Sequence, residues 1–188
     1  QTSGKATRNI TADPLSGLTE GEIEDARPYC ELIRRWFNLH PEFSWLPGKF
    51  KIAINGAKLD ETALRIHDLG LRLVRNEKGE LGFSVFVGGG LGAAAMIAAE
   101  TASFVPVVDI LSYLESSLRI YNLKGRRDHQ KKLRIKFLVR ELGATEFSKL
   151  VDEDWQQTKD DPDLKLNLNE LESLKKDFAL PIKPIDLD

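Results

Sequence analysis

The stretch "KFKIAI", residues 49–54, contains two lysines that could act together on a small anion. Because side chains alternate along a strand, a strand here would place Lys49 and Lys51 on one face, with Cα atoms about 7 Å apart. Two ammonium groups at that separation could neutralise an oxyanion and donate protons to it. The alternative is an edge strand, in which lysines deter edge-to-edge pairing.

A second group of cations lies in residues 119–140, which contain nine Lys or Arg and one acid, Asp128. The pattern predicts a helix over 126–142, with Arg127, Lys131 and Arg134 on one face. Few acids are available to pair with these cations, so a polyanionic ligand is an alternative to an ordinary solvated face. A further cation, Arg8, lies in the polar stretch "ATRNITADP".

The stretch "VGGGLGAA" raises the question of a nucleotide site. Gly88, Gly90 and Ala93 fit the G-x-G-x-x-G/A pattern that binds a dinucleotide pyrophosphate. That fold also needs an acid at the end of a parallel strand about 20 residues on, whereas Asp109 falls inside a helical pattern. We therefore expect Gly88, Gly89 and Gly90 to form a bend that another backbone or a flat ligand approaches closely.

Composition excludes several classes of function. The 188 residues carry a net charge of −2, which does not favour nucleic acid, and no apolar run approaches a membrane span. Cys30 is the only cysteine, so an internal disulfide or a site with four thiolates is excluded, and a reducing, cytoplasmic location is expected. We identify no metal-ligating residues.

The elements that must position these residues indicate an α+β fold, with a mixed or antiparallel sheet on which helices pack. A strand is predicted over 8–11, another over 49–55, and a hairpin joins "LRLVR" to "LGFSVFV". Helices are predicted over 25–38, 60–70, 105–122, 126–142 and 144–155. One more helix is expected after residue 160, followed by an extended end with two prolines.

Five stretches, in order, resemble the central region of siroheme-dependent nitrite and sulfite reductases. They are "TRNITADP" (7–14), "HPEFSWLPGKFKIAING" (40–56), "HDLGLRLV" (67–74), "GELGFSVFVGGGLG" (79–92) and "GRRDHQKKLRIKFLV" (125–139). The combination of "LP-x-KFK" with "GF-x-V-x-VGGGL" is specific. The resemblance implies the fold of that family's central domain and an oxidoreductase as the parent protein, which carries out the six-electron reduction of sulfite to sulfide or of nitrite to ammonia.

By the same resemblance, Lys49, Lys51 and Arg8 correspond to residues that bind the substrate anion, face the siroheme and supply protons. Arg127 and Arg134 correspond to contacts with siroheme carboxylates, and the glycines at 88–90 to a close approach to the macrocycle. This chain departs from the family at Gly48, where Arg is usual. It also lacks the cysteines that hold the [4Fe–4S] cluster in the family.

The resemblance further implies a siroheme domain over 1–150, a fragment of a longer protein, and an acidic extension over 151–188 leading towards the next domain. The expected partners are the remaining domains, a flavoprotein or ferredoxin as electron donor, and a small oxyanion. Siroheme and the cluster belong to the complete enzyme, and we expect this fragment alone to bind neither and to be inactive. The alternative is a non-catalytic fragment or degenerate homologue whose basic face contacts another subunit.

Overall fold

The computed structural model describes residues 7–60, 62–92 and 94–179, with the backbone alone for residues 7, 8 and 39. In this part of the chain, five strands form one sheet in the order β1-β2-β3-β4-β5. Their bounds are β1 Thr7–Ala12, β2 Phe50–Asn55, β3 Leu69–Arg75, β4 Leu81–Val87 and β5 Ala99–Pro106.

The sheet is mixed. Strands β1, β2 and β3 are parallel to one another, whereas β3, β4 and β5 pair antiparallel. The predicted hairpin is confirmed as β3–β4, with Leu69 opposite Val87 and Arg75 opposite Leu81. Strand β2 has a partner on each side, so the alternative that Lys49 and Lys51 protect an edge strand is wrong.

Five helices of the described part accompany the sheet, and several short 3-10 turns connect the elements. The helices are α1 Arg27–Leu39, α2 Ile110–Lys124, α3 Ile135–Leu142, α4 Ala144–Thr158 and α5 Leu168–Phe178. Helix α1 packs on β1, α4 packs on β5 and α2, and α3 packs on α4. The predicted α+β class is confirmed.

The core lies on one face of the sheet. Strand β2 contributes Phe50, Ile52 and Ile54, all fully buried, and Leu69 and Leu71 of β3 extend the same layer. The alternation along β2 leaves Lys51 exposed on the opposite face. Burial of the apolar residues therefore fixes the direction in which the residue at position 51 points, because a slip of one residue would invert both faces.

The helix predicted over 60–70 is wrong. Of the described residues in this segment, only Leu64–Ile66 are helical, as a 3-10 turn, and β3 begins at Leu69. The Asp60 carboxylate accepts the N–H of Leu64, which closes this turn. Apolar residues then recur with period two, and burial in the sheet overrides the weak helical pattern.

The helix predicted over 126–142 is correct only in its second half. Residues 126–129 are not helical, a 3-10 turn spans Gln130–Lys132, and α3 begins at Ile135. The prediction that Arg127, Lys131 and Arg134 share one helical face is therefore wrong. Strand β5 was not predicted from the sequence. The helix predicted over 105–122 included Pro106, whereas Pro106 ends β5.

The helix expected after residue 160 is confirmed as α5. It packs on α1, where Glu170 pairs with Arg35, and its Lys175 pairs with Glu24, just before α1. Helix α4 continues past residue 150, so the domain boundary predicted at 150 falls inside a helix. That boundary stays a prediction. The extended end predicted after residue 179 lies outside the described residues. Among the described helices, none is both long and apolar enough to cross a bilayer.

The environment of Cys30 on α1 leads to a first prediction. Burial raises the pKa of its thiol to about 12, so the thiolate is scarce at neutral pH. In the folded protein, alkylation by iodoacetamide at pH 8 should be roughly 10²-fold or more slower than in the chain unfolded by guanidinium. Mass spectrometry over time measures both rates, and equal rates in the two states would contradict the burial of this thiol.

Candidate functional site

An open pocket of about 680 Å³ lies where the start of β2, the loop after β4 and the segment before and within α3 meet. Six of its lining residues are Lys or Arg and none is acidic. These six cations are Lys49, Lys131, Lys132, Arg134, Lys136 and Arg140. We call this the cationic pocket. Because so many like charges face one open cavity, the site is electrostatically suited to an anion with several negative groups.

Strand β2 positions the two lysines of "KFKIAI". Lys49 immediately precedes the strand, is exposed and lines the cationic pocket. Lys51 is also exposed, on the face opposite Phe50 and Ile52. Its backbone N–H donates to Asp68 Oδ2 at 2.9 Å, so the strand is tied here to the residue just before β3.

Asp68 is the residue of this region that sequence reasoning missed. Its side chain is fully buried, yet it accepts a hydrogen bond from Arg134 Nε at 2.8 Å and forms an ion pair with that guanidinium. Burial raises the pKa of Asp68, and the Arg134 charge and the hydrogen bonds oppose this rise. The sequence feature that could have revealed Asp68 is its place in "HDLG", directly before an apolar strand.

The same aspartate joins the glycine bend to the pocket. Its carbonyl oxygen accepts the N–H of Gly88 at 2.9 Å, and Arg134 Nη2 donates to the Gly89 carbonyl at 3.4 Å. One buried residue therefore holds together β2, the end of β4 and the segment that enters α3. An aspartate that accepts from a guanidinium and from a backbone N–H gains strong, directional hydrogen bonds.

The glycines at 88–90 bring parts of this chain close to one another. Gly88 has a φ of +94°, and a Cβ there would lie 2.9 Å from Val139 Cβ. A Cβ at Gly89 would overlap the Arg65 carbonyl oxygen, and one at Gly90 would lie 2.7 Å from Arg134 Nη2. The close approach to a backbone that the sequence predicts is thus present, whereas the approach to a macrocycle stays a prediction.

A dinucleotide site at these glycines is excluded by the topology. The strand before them, β4, is antiparallel to both neighbours, and the chain continues through a bridge between Gly90 and Met96 into β5. A pyrophosphate site of the Rossmann type needs a helix N-terminus at this point and a parallel strand after it.

Lys136 is a second residue that sequence reasoning did not single out. It is only 4% exposed, and its Nζ donates to the carbonyl oxygens of Leu91 and Ala94. Burial lowers the pKa of Lys136, and the positive charge of Arg134 adds to this effect. The lysine therefore fastens the loop after the glycines to α3 and places a charge at the wall of the cationic pocket.

The predicted cations outside the pocket are in different situations. Arg127 does not line it: its guanidinium donates to the carbonyl oxygens of Trp45 and Asn122 and to the Asn122 side chain. The side chain of Arg8 lies outside the described part. Its backbone belongs to β1, which is parallel to β2 and adjacent to it, so Arg8 lies on the strand next to Lys51.

Gly48, where the resembled family has Arg, also lines the cationic pocket. A Cβ at this position would lie 3.0 Å from Leu133 Cβ and 3.2 Å from the Leu133 carbonyl carbon. A larger residue would therefore require the segment before α3 to shift. The absence of an Arg at position 48 therefore agrees with the close packing of Leu133 against Gly48 in this chain.

The residues present suit a polycarboxylate cofactor and do not suit an iron–sulfur cluster. The pocket cations that do not hold the protein together, Lys49, Lys131, Lys132 and Arg140, could pair with carboxylates. By contrast, the chain has one cysteine, and its raised thiol pKa opposes metal ligation. In the described ranges no group of three or more His, Cys, Asp or Glu is arranged to hold a metal ion.

Comparison with known proteins gives a consistent result. The family described as "Nitrite and sulphite reductase 4Fe-4S domain" matches residues 3–159. The "Sulfite reductase [ferredoxin] 1" of Mycolicibacterium paratuberculosis is 30% identical over 153 residues, covering 81% of this chain and 27% of that protein. The "Ferredoxin--nitrite reductase" of Leptolyngbya laminosa is 31% identical over 145 residues, covering 74% of this chain and 28% of that protein.

Solved structures agree with the fold. The Mycobacterium tuberculosis NirA protein superposes with a TM-score of 0.73 at 28% identity, covering 82% of this chain and 28% of that one. The dissimilatory sulfite reductase I superposes with a TM-score of 0.64 at 12% identity, which supports the fold alone. This chain thus spans little more than a quarter of the length of the sulfite and nitrite reductases that it matches in sequence.

The buried ion pair leads to a second prediction. Arg134→Ala leaves Asp68 buried without its counter-charge, which should lower the free energy of unfolding by about 3 kcal/mol or more. The matched control is Arg126→Ala, because Arg126 pairs with Asp128 and both side chains are exposed. Urea unfolding followed by circular dichroism measures both variants. Equal, small effects would show that the Asp68–Arg134 pair does not hold this region together.

Proposed function

Because the chain belongs to the nitrite and sulphite reductase 4Fe-4S domain family, we propose that it is the siroheme-binding domain of a sulfite or nitrite reductase. The predicted division into a siroheme domain over 1–150 and an acidic extension over 151–188 stays a prediction, since α4 crosses residue 150 and α5 packs on α1. The single observation that carries the proposal is a cationic pocket without an acidic lining residue, built from segments that match the family.

The charge of the pocket supports siroheme as the ligand. Siroheme bears several carboxylates, and each needs a cation or hydrogen-bond donors when it leaves water. Lys131, Lys132 and Arg140 present positive charge at the pocket wall, while Arg134 and Lys136 are partly used in holding the protein together. When bound, siroheme would supply the iron that binds the substrate and transfers electrons to it.

Lys49 and Lys51 have the proposed role of holding the substrate anion and donating protons to it. Both are exposed at or beside β2, on the face away from the core, where a small oxyanion could approach their ammonium groups. Reduction of sulfite or nitrite consumes protons as the oxygen atoms leave as water, so ammonium groups at the substrate can serve as donors. Arg8 on the neighbouring strand is proposed to contribute a third positive charge.

The complete reaction needs parts that this chain does not contribute. Cys30 alone cannot hold a [4Fe–4S] cluster, so we assign cluster ligation to other parts of the polypeptide. The relatives named as ferredoxin-dependent support ferredoxin as the electron donor, ahead of a flavoprotein. Sulfite and nitrite are both small oxyanions that need the same positive charge from this domain, so we propose either one as the substrate. The inactivity of the isolated chain and its failure to retain siroheme stay predictions.

A second function, a contact surface for another subunit, is favoured by one specific observation. Trp45 and Leu123 are 78% and 74% exposed, and Arg127 connects their segments through hydrogen bonds to the Trp45 and Asn122 carbonyl oxygens. Tryptophan and arginine are frequent at the centres of protein interfaces. Trp45, Leu123 and Arg127 do not line the cationic pocket, so the two functions are compatible in one protein.

The substrate role of Lys51 leads to a third prediction. In the complete polypeptide, Lys51→Ala should lower the turnover of sulfite or nitrite roughly 10² to 10³-fold, as removal of one preorganised donor does in other enzymes. Siroheme absorbance per polypeptide should stay unchanged. The control is Lys78→Ala, because Lys78 lies in the exposed turn between β3 and β4. Unchanged turnover at full cofactor content would refute the role given to Lys51.

A further inference from the structure

The loop between β1 and α1 contains buried polar groups that the proposed function does not use. Asp13 is 3% exposed and Ser16 is 2% exposed, although both lie in a surface loop. The Asp13 Oδ1 atom accepts the N–H of Leu15 at 2.8 Å, and the Asp13 carbonyl accepts the N–H of Ser16. This tight turn holds both side chains inward at the end of β1.

Three side-chain oxygens of this loop are buried and have no hydrogen-bond partner among the described residues. They are Asp13 Oδ2, Ser16 Oγ and Glu22 Oε1. A buried carboxylate oxygen without a partner is unfavourable, since it has lost its water and gained nothing in exchange. Groups of this kind in native proteins commonly mark a site for water or an ion.

The fold places the three side chains near one another, since the Asp13 carboxylate and the Ser16 hydroxyl both act on the pKa of Glu22. Strands β1 and β2 are parallel, with Ala12 opposite Ile54, so Asp13 and Gly56 follow neighbouring carboxyl ends of the sheet. A Cβ at Gly56 would lie 3.3 Å from Glu22 Oε1. The other carboxylate oxygen of Glu22 accepts the N–H of Gly17 at 2.8 Å, which turns this side chain back across the loop.

Two carboxylates of this loop have no ion-pair partner among the described residues. Asp25 pairs with Arg27, whereas Asp13 and Glu22 form no such pair. Arg27 donates to both oxygens of Asp25 and to the Phe178 carbonyl, and it makes no hydrogen bond to Asp13 or Glu22. Burial raises the pKa of Glu22, the Gly17 N–H and the nearby Ser16 hydroxyl oppose this rise, and repulsion from Asp25 and Asp13 adds to it.

We propose that this loop binds one divalent cation, with Ca²⁺ as the best fit, through Asp13 Oδ2, Glu22 Oε1 and Ser16 Oγ. All three ligands are hard oxygen donors, which excludes the sites typical of zinc or copper. Calcium accepts irregular coordination completed by water, whereas magnesium requires near-octahedral geometry. Two positive charges would neutralise the loop.

The site is a weak one by its ligand count. It has two carboxylates and a hydroxyl, which agrees with the lack, in the described ranges, of any group of three or more His, Cys, Asp or Glu arranged for a metal. Calcium sites with few charged ligands bind in the range of about 10⁻⁴ to 10⁻³ M. The bound ion would join the first half of the loop between β1 and α1, at Asp13 and Ser16, to its second half at Glu22.

The experiment uses the whole 188-residue chain after removal of metal ions by a chelating resin. Calcium chloride should raise the melting temperature in a saturable way, with a midpoint of about 0.1 to 1 mM. Sodium chloride at equal ionic strength should not. Equilibrium dialysis with ⁴⁵Ca²⁺ should give one site per chain and a dissociation constant in the same range.

Variants separate this site from general electrostatics. Asp13→Asn and Glu22→Gln should each weaken calcium binding at least tenfold, whereas Glu20→Gln, in an exposed position of the same loop, should leave it unchanged. Ser16→Ala keeps both carboxylates and should weaken binding several-fold even if the charge variants fold poorly. The proposal is overturned if no saturable calcium response occurs, or if Ser16→Ala and Glu22→Gln bind calcium as tightly as the original chain.

Discussion

The buried ion pair between Asp68 and Arg134 is the interaction on which the candidate site depends. Asp68 is fully buried and ties the backbone of Lys51, the N–H of Gly88 and the Arg134 guanidinium to one point. A carboxylate without these partners would not be stable in that position, since burial disfavours its charged form. The pair therefore holds together the strand that carries the lysines, the glycine bend and the entry to α3.

This constraint explains how several like charges are kept around one cavity. The cationic pocket has six Lys or Arg residues, whose mutual repulsion would spread flexible segments apart. Asp68 holds Arg134 in the pocket wall, and the carbonyl oxygens of Leu91 and Ala94 hold Lys136. The remaining cations stay available for a ligand. The charge is thus preorganised, which is what anion binding and proton donation require.

The sequence allowed the fold class, the β3–β4 hairpin and the two exposed lysines to be predicted, because alternation along "KFKIAI" depends only on local geometry. The helical face of Arg127, Lys131 and Arg134 was wrong, since periodicity cannot detect the irregular segment that Asp68 and Gly48 impose through contacts far along the chain. Asp68 itself was missed because its function is visible only when β2, β3 and α3 are assembled. The resemblance to the reductase family identified Arg134 as a site residue, but it did not identify Asp68 as the ion-pair partner of Arg134.

The central claim is that the cationic pocket binds a tetrapyrrole polycarboxylate. Its most direct test is a fluorescence titration of the complete polypeptide, freed of siroheme, with uroporphyrin, which carries carboxylates around a similar ring. Binding should weaken steeply as salt rises, and it should weaken further in Lys131→Ala and Arg140→Ala but not in Lys78→Ala. Affinity that is independent of salt, or that falls equally in all three variants, would contradict the claim.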